Sequence, residues 1–221
     1  MSALGAIIAR DIRLAFRAGG GAAQGVTFFA LTGVLFALAV GPDIALISKI
    51  AAPVLWTGAL LATQISLDQI WRADREDGSL DVLVETSDML ALTALAKAFA
   101  HWAATALPLI VATPILGVML NLPVEAYAPL AISLAIGTPG LSLIGCIAGA
   151  LVVSLPRAHL LIAIIVSPLY VPILIFGSGA AMSDMGTPQY GANLMLLGAT
   201  VLFAAILSPL ASAAALRSNL D

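Results

Sequence analysis

The sequence predicts an all-α integral membrane protein of six transmembrane helices. Three observations carry this expectation. Apolar residues make up 61% of the 221 positions and charged residues 10%, with a mean hydropathy of +1.08. The apolar residues gather into six stretches long enough to cross a bilayer. Eight of the nine Lys and Arg residues flank these stretches on one side. Soluble domains run roughly 45–50% apolar and about 25% charged. A chain this apolar lacks the polar groups to cover a folded surface, so lipid is its solvent.

A helix needs about 20 apolar residues to cross a hydrocarbon core of ~30 Å. The expected spans are Ala22–Val40, Ile50–Leu67, Leu92–Leu120, Tyr127–Ser154, Leu160–Phe176 and Asn193–Leu216. The third and fourth are long enough to tilt or to run past the interface. Ala37-Leu38-Ala39 has the look of a signal-peptide cleavage site, but the patterned segment ahead of the first stretch is too long for a usual n-region, and span one is read as retained. Prolines fall inside several spans: Pro108, Pro114, Pro139, Pro168, Pro172 and Pro209. Each removes a backbone donor, so bends lining a pathway and ordinary packing irregularity are both open readings.

Residues 1–18 form a separate element. On a helical wheel Leu4, Ile8, Ile12 and Phe16 share one face, and Arg10, Arg13 and Arg17 cluster on another. That pattern fits an amphipathic helix in the interface, with its apolar face at the acyl boundary and its arginines at anionic lipid headgroups. The plain alternative is a helix leading into span one. Arg72, Arg75, Lys97, Arg157 and Arg217 lie on the same side as these arginines, and Lys49 lies opposite. The bias puts both termini and the long polar insert in the cytoplasm. The chain is read as one transmembrane domain over 1–221.

The insert Asp68–Met89 is the longest polar stretch between spans. Gly78 ends its highly charged part, and Ser79 is placed to cap a short helix. Leu80, Leu83, Val84 and Ser87 would share one face, and Asp81, Glu85 and Asp88 another. An apolar ridge with an acidic flank fits docking into a groove of a partner, or a loop helix folded back on the membrane.

Lys97, His101 and Thr105 stand at i, i+4 and i+8, a polar stripe entering span three from the cytoplasmic side, with Trp102 beside it. His159 opens span five on that side. Polar groups at membrane depth usually face a bundle interior and often mark a pathway. Either histidine is a candidate heme contact, and hydration at the interface is the simpler reading. Gly137, Pro139, Gly140, Gly145 and Gly149 give span four a small-residue face for close helix approach. The one cysteine, Cys146, rules out an internal disulfide framework and a cysteine-based metal site. With lysine only at 49 and 97 there is no P-loop, so ATP energy would have to come from another subunit. No basic patch with interleaved aromatics points to nucleic acid.

The chain resembles the CcmB family, heme exporter protein B of bacterial cytochrome c maturation, nearly end to end. The resemblance rests on Arg10–Phe16, Arg75-Glu-Asp-Gly78-Ser-Leu80-Asp, Lys97-Ala-Phe-Ala-His101-Trp102, Gly137-Thr-Pro139-Gly140-Leu-Ser, Pro168-Leu-Tyr-Val-Pro172 and Ser208-Pro209 through Arg217. Thr105-Ala106-Leu107-Pro108 and Ser208-Pro209-Leu210 depart from the family pattern by small apolar exchanges. The resemblance implies an ABC-2-type permease in the bacterial inner membrane, with residues 68–90 as the segment that couples to an ATP-binding subunit. Gly78, Leu80 and Leu83 would seat that coupling helix, and Glu76, Asp77 and Asp81 would make its polar contacts. Further implied partners are a heme-handling membrane protein, a small single-span subunit and a periplasmic heme chaperone. The chain is expected to be no enzyme and to hold no resident cofactor. Heme would be cargo, and ATP would be bound by the partner. Export of another substrate, such as a lipid or drug, and a non-transporting scaffold for assembly or chaperone release are the competing functions.

Overall fold

In lipid every backbone N–H and C=O must find a partner within the chain, and a helix satisfies its own. The computed structural model describes residues 3–17, 21–86, 89–155 and 158–219, and these fold into nine helices. They are α1 Ala3–Arg17, α2 Gly21–Val40, α3 Ile44–Gln64, α4 Gln69–Glu76, α5 Ser79–Thr86, α6 Leu90–Met119, α7 Val124–Val152, α8 Ala158–Ala181 and α9 Pro188–Ser218. Six of them are long and apolar enough to cross a membrane. The expectations placed on Ser87, Asp88, Arg157 and the Arg17 side chain fall outside the described residues.

The helix ends follow from local chemistry. Gly41 takes a positive φ of 76° and turns the chain from α2 into α3. Asp43 caps α3 by accepting from the Leu46 N–H at 3.0 Å, so this helix starts six residues before the expected span. Asn121 (φ 50°) ends α6 in a Schellman motif, with Leu122 N–H bonding Gly117 O at 2.8 Å and Asn121 N–H bonding Val118 O at 3.1 Å. Thr187 caps α9 just before Pro188, which needs no N–H at the first helical position.

The centre of the bundle is α7, in which 17 of 29 residues are buried, against 8 of 31 in α9. It packs against α6, α8 and α9, while α1 lies along α6. Val111, Ile115 and Val118 of α6 share one face and are each 75% exposed, as are Leu202, Phe203 and Ile206 of α9 at 66 to 70%. These are the lipid-facing sides.

Small residues on α7 make room for large ones on other helices. Trp56 is fully buried in a slot between Gly137 and Gly177. A Cβ on Gly137 would stand 2.5 Å from the indole, and one on Gly177 would overlap it. A Cβ on Gly145 would overlap Leu67, one on Gly149 would meet Trp71 at 3.1 Å, and one on Gly140 would meet Ile173 at 2.9 Å. Pro139 is accommodated inside the continuous α7 helix.

Gly177→Ala should therefore destabilise the bundle by about 1–3 kcal/mol through overpacking against Trp56. Gly198, whose Cβ would meet nothing within 4 Å, should tolerate alanine or gain up to about 1 kcal/mol of helix stability. Thermal unfolding of the two variants in the same detergent checks the contrast.

Candidate functional site

Four charged side chains meet where α1, α4 and α6 converge. Lys97 of α6 is 2% exposed and Asp74 of α4 is fully buried. The Lys97 ammonium donates to Asp11 Oδ2 at 2.8 Å and to the Ile70 carbonyl at 3.1 Å, and forms an ion pair with Asp74 Oδ2. Arg10 Nη2 reaches Asp74 Oδ1 at 2.5 Å and Asp11 Oδ1 at 2.8 Å. The Ser79 hydroxyl, at the start of α5, donates to Asp74 Oδ1 at 3.3 Å. The Trp71 ring lies 5.3 Å from the Lys97 nitrogen. Two cations and two carboxylates thus cancel, and each has several partners, the condition under which buried charge is tolerated. Burial opposes the Arg10 charge, but its hydrogen bonds to Asp74 and Asp11 outweigh that, and the Arg10 pKa is raised.

One helical turn deeper, His101 ties three segments. Its Nδ1 is 2.9 Å from the Ser142 hydroxyl on α7, and its Nε2 is 3.0 Å from the Ser66 hydroxyl after α3. Both serines are buried. A ring nitrogen that ligated iron would have to give up one of these bonds. Thr105, the next member of the stripe, bonds back to the His101 carbonyl at 2.7 Å. Trp102 donates to Thr138 Oγ1 at 3.0 Å.

These contacts belong to a longer pattern. All three tryptophans of the chain donate their indole N–H into α7: Trp56 to Ser133 Oγ at 2.9 Å, Trp102 to Thr138, and Trp71 to the Cys146 carbonyl at 3.1 Å. Thr138, Ser142 and Cys146 follow at i, i+4 and i+8 along one face of α7, and Ser133 lies on another. Tyr170 of α8 and Ser208 of α9 donate to the Leu141 and Leu143 carbonyls, each at 2.7 Å.

The stripe opens on a cleft of ≈ 430 Å³ between α1, α2, α4 and α6. Lys97, His101, Thr105 and Ser66 form its polar floor, Leu14, Ala100 and Ala104 are apolar walls, and Arg72 and Glu76 stand at its rim. Arg72 is already bonded to Glu76 at 2.7 Å. His159, exposed at the start of α8, lines a separate recess of ≈ 370 Å³ with Trp71, Arg75 and Gly149. No group of three or more metal-ligating side chains gathers among the described residues.

The insert 68–90 is only partly a surface element. Ile70, Trp71 and Asp74 of α4 are buried. In α5 Leu80 is 1% exposed and belongs to the core. Its expected role in seating a partner gives way to packing within the chain. Leu83 and Val84 are half-buried beside it, while Asp81, Val82 and Glu85 face outward. Ser79 does not cap α5 as expected. Its hydroxyl goes to Asp74, and Asp77 accepts the Ser79 N–H at 2.9 Å instead. Gly78, between the two helices, has a φ of 75°. Hydrogen bonding from Ser79, its hydroxyl first and its N–H second, holds the Asp77 carboxyl below its ordinary range, so its support of the turn is present at neutral pH and fades as pH falls through the lowered pKa. Arg10, expected at lipid headgroups, points instead to Asp74. Asp11, Asp74, Ser66 and Ser142 were not singled out in the sequence. Asp11 at i+1 from Arg10, and Asp74 on the face of Ile70 and Trp71, were the signals available.

Lys97→Ala should cost about 3–5 kcal/mol of stability, because it leaves the buried Asp74 and the partly buried Asp11 with one cation. Breaking the exposed Arg72–Glu76 pair with Arg72→Ala should cost no more than about 0.5 kcal/mol. Thermal melting in detergent at low and high salt separates them, since burial shields the first from salt and not the second.

Comparison with known proteins matches the sequence to one family. The model of the CcmB protein family matches residues 2–219. The protein named heme exporter protein B of Bradyrhizobium diazoefficiens is 49% identical over 222 residues, covering all of both chains. Its namesake in Rhodobacter capsulatus is 43% identical over 97% of this chain and 99% of that protein. The Escherichia coli K12 protein of the same name is 38% identical over 96% of each. With the match running through all six spans and the charged cluster between α1, α4 and α6, the chain belongs to the CcmB family.

Proposed function

We propose that this chain is the permease subunit of an ABC-type transporter that delivers heme across the bacterial cytoplasmic membrane for c-type cytochrome assembly. The observation that carries this reading is the end-to-end similarity to proteins named heme exporter protein B. The lack of a P-loop supports ATP hydrolysis in a separate subunit. Six crossings would return both ends to one side, and the basic residues around α1, α4 and the end of α9 support a cytoplasmic position for that side. The heme-handling membrane protein, the single-span subunit and the periplasmic chaperone complete the assembly.

In this reading α5 is the docking element. Its outward face offers Asp81, Val82 and Glu85, beside the exposed Asp77–Gly78 turn. That acidic surface fits a basic groove on the ATP-binding subunit. Docking there would set the angle of α4, to which α5 is joined through Gly78 and through the Ser79–Asp74 bond. Heme is an amphipathic cargo, an apolar plane with two carboxylates. The cleft floored by Lys97 and His101 pairs apolar walls with polar groups.

A specific observation favours a second reading. Lys97 and both nitrogens of His101 are already satisfied within the chain, as they would be in a scaffold that holds its partners and transports nothing. His101→Gln separates the two, because glutamine keeps donor and acceptor capacity but is a poor iron ligand. A scaffold keeps its cytochrome yield in this variant, and a path that uses the imidazole as a ligand loses it.

Two experiments test the main reading. Expressed in a strain that lacks its own heme exporter protein B, the chain should restore covalent c-type cytochromes, seen as heme-stained bands. Asp81→Lys combined with Glu85→Lys should then weaken capture of the ATP-binding subunit by about tenfold or more through like-charge contact. Full capture and full cytochrome yield in the double variant would remove α5 as the docking element.

A further inference from the structure

The two charge pairs between α1, α4 and α6 do more than neutralise one another. Asp74 is a point at which four helices meet: it sits on α4, receives Ser79 from α5, Arg10 from α1 and Lys97 from α6. Asp11 closes the ring by binding Arg10 and Lys97 together. Beyond this ring α4 packs on α7, where Trp71 meets Gly149 and donates to the Cys146 carbonyl, and α5 rests on α4 with Leu80 in the core. The ring is the hydrogen-bonded route from α5 and α4 to α1 and α6, beside this apolar packing. Its bonds are short and directional, so they resist stretching in a way that apolar contact does not.

Resting on the proposed docking of α5 to an ATP-binding subunit, we infer that the Arg10–Asp11–Asp74–Lys97 ring is the positioning element that passes movement of α5 to α1 and α6. Lys97 and Asp11 are its key members, because they form its link between α1 and α6. Lys97 borders the cleft from the same position, and His101 follows it on the same face of α6. Turning or lifting α6 through Lys97 would therefore change the cleft wall. The ring is closed at Asp74, which is fully buried, and open at Arg10, whose side chain is 39% exposed. It can yield from the α1 side while α4 and α6 stay joined.

The test uses the intact complex. Hydrogen–deuterium exchange is followed with and without a non-hydrolysable ATP analogue, adenylyl imidodiphosphate. Peptides covering α5, α1 and the first turns of α6 should change protection together. If α5 changes while α1 and α6 do not, the ring is not the transmitter, and docking at α5 stands. If α5 itself does not change, the docking reading fails and takes the inference with it. The paired variant Arg10→Met with Asp11→Asn removes one cation and one carboxylate, leaves the Lys97–Asp74 pair balanced and keeps the cleft floor intact. It should assemble and hydrolyse ATP at near the parent rate, while cytochrome formed per ATP falls about tenfold, within the usual range of coupling energies. Arg10→Lys, which keeps the charge, should retain most of that ratio. An unchanged ratio in the paired variant overturns the inference. If the paired variant does not accumulate, the exchange experiment on the unaltered complex decides alone.

Discussion

A lysine on a transmembrane helix with 2% of its surface exposed has to be neutralised where it sits. Moving an unpaired ammonium out of water costs far more than a whole domain's net stability. Lys97 therefore dictates where acids must be, and the rest of the cytoplasmic end is built around that demand. Asp74 reaches it only because α4 turns inward and buries Ile70 and Trp71 with it. Asp11 reaches it only because α1 lies along α6. Two carboxylates against one ammonium would leave excess negative charge, and Arg10 supplies the balance. One buried cation thus accounts for the placement of α1, α4 and the start of α5.

Below this level the bundle is organised by α7, which acts as a receptor for aromatic side chains. Glycines at 137, 145 and 149 clear space for Trp56, Leu67 and Trp71. Hydroxyls at 133, 138 and 142 accept or donate to the polar atoms that arrive with them. An indole buried in lipid needs a partner for its N–H, and a small-residue helix provides both room and acceptor. Cys146 fits the same logic. It is fully buried, lends its carbonyl to Trp71, and its thiol lies near Ser212 of α9.

How much of this could be read beforehand depends on the range of the interaction. The six spans were legible because apolar length is a local property. Their ends moved where a cap outranked hydropathy, as at Asp43 for α3 and Thr187 for α9. The stripe Lys97–His101–Thr105 was legible because a helix places i, i+4 and i+8 on one face. Its partners were not, since Asp11, Asp74, Ser66 and Ser142 lie in distant segments, and local signals such as Asp74 on the face of Ile70 and Trp71 do not say which residue they meet. Leu80 shows the same limit from the other direction. Periodicity placed it on an apolar ridge correctly, but only tertiary contact decides that the ridge faces the core.

The energetics of the ring bear on why it is charged at all. Replacing a buried ion network by apolar groups of similar volume is often neutral or stabilising by about 1–4 kcal/mol. Stability alone is then a weak reason for two cations and two carboxylates at this site, when Leu and Met would pack there at lower desolvation cost. Charges offer what apolar packing does not, a fixed register among α1, α4 and α6, because a slip of one residue would leave buried charge unpaired. The turn at Gly78 (φ 75°) sets the angle between α4 and α5, and the Ser79 hydroxyl bridges that turn back to the ring at Asp74. The ring thus fixes α5 to the bundle together with the burial of Leu80.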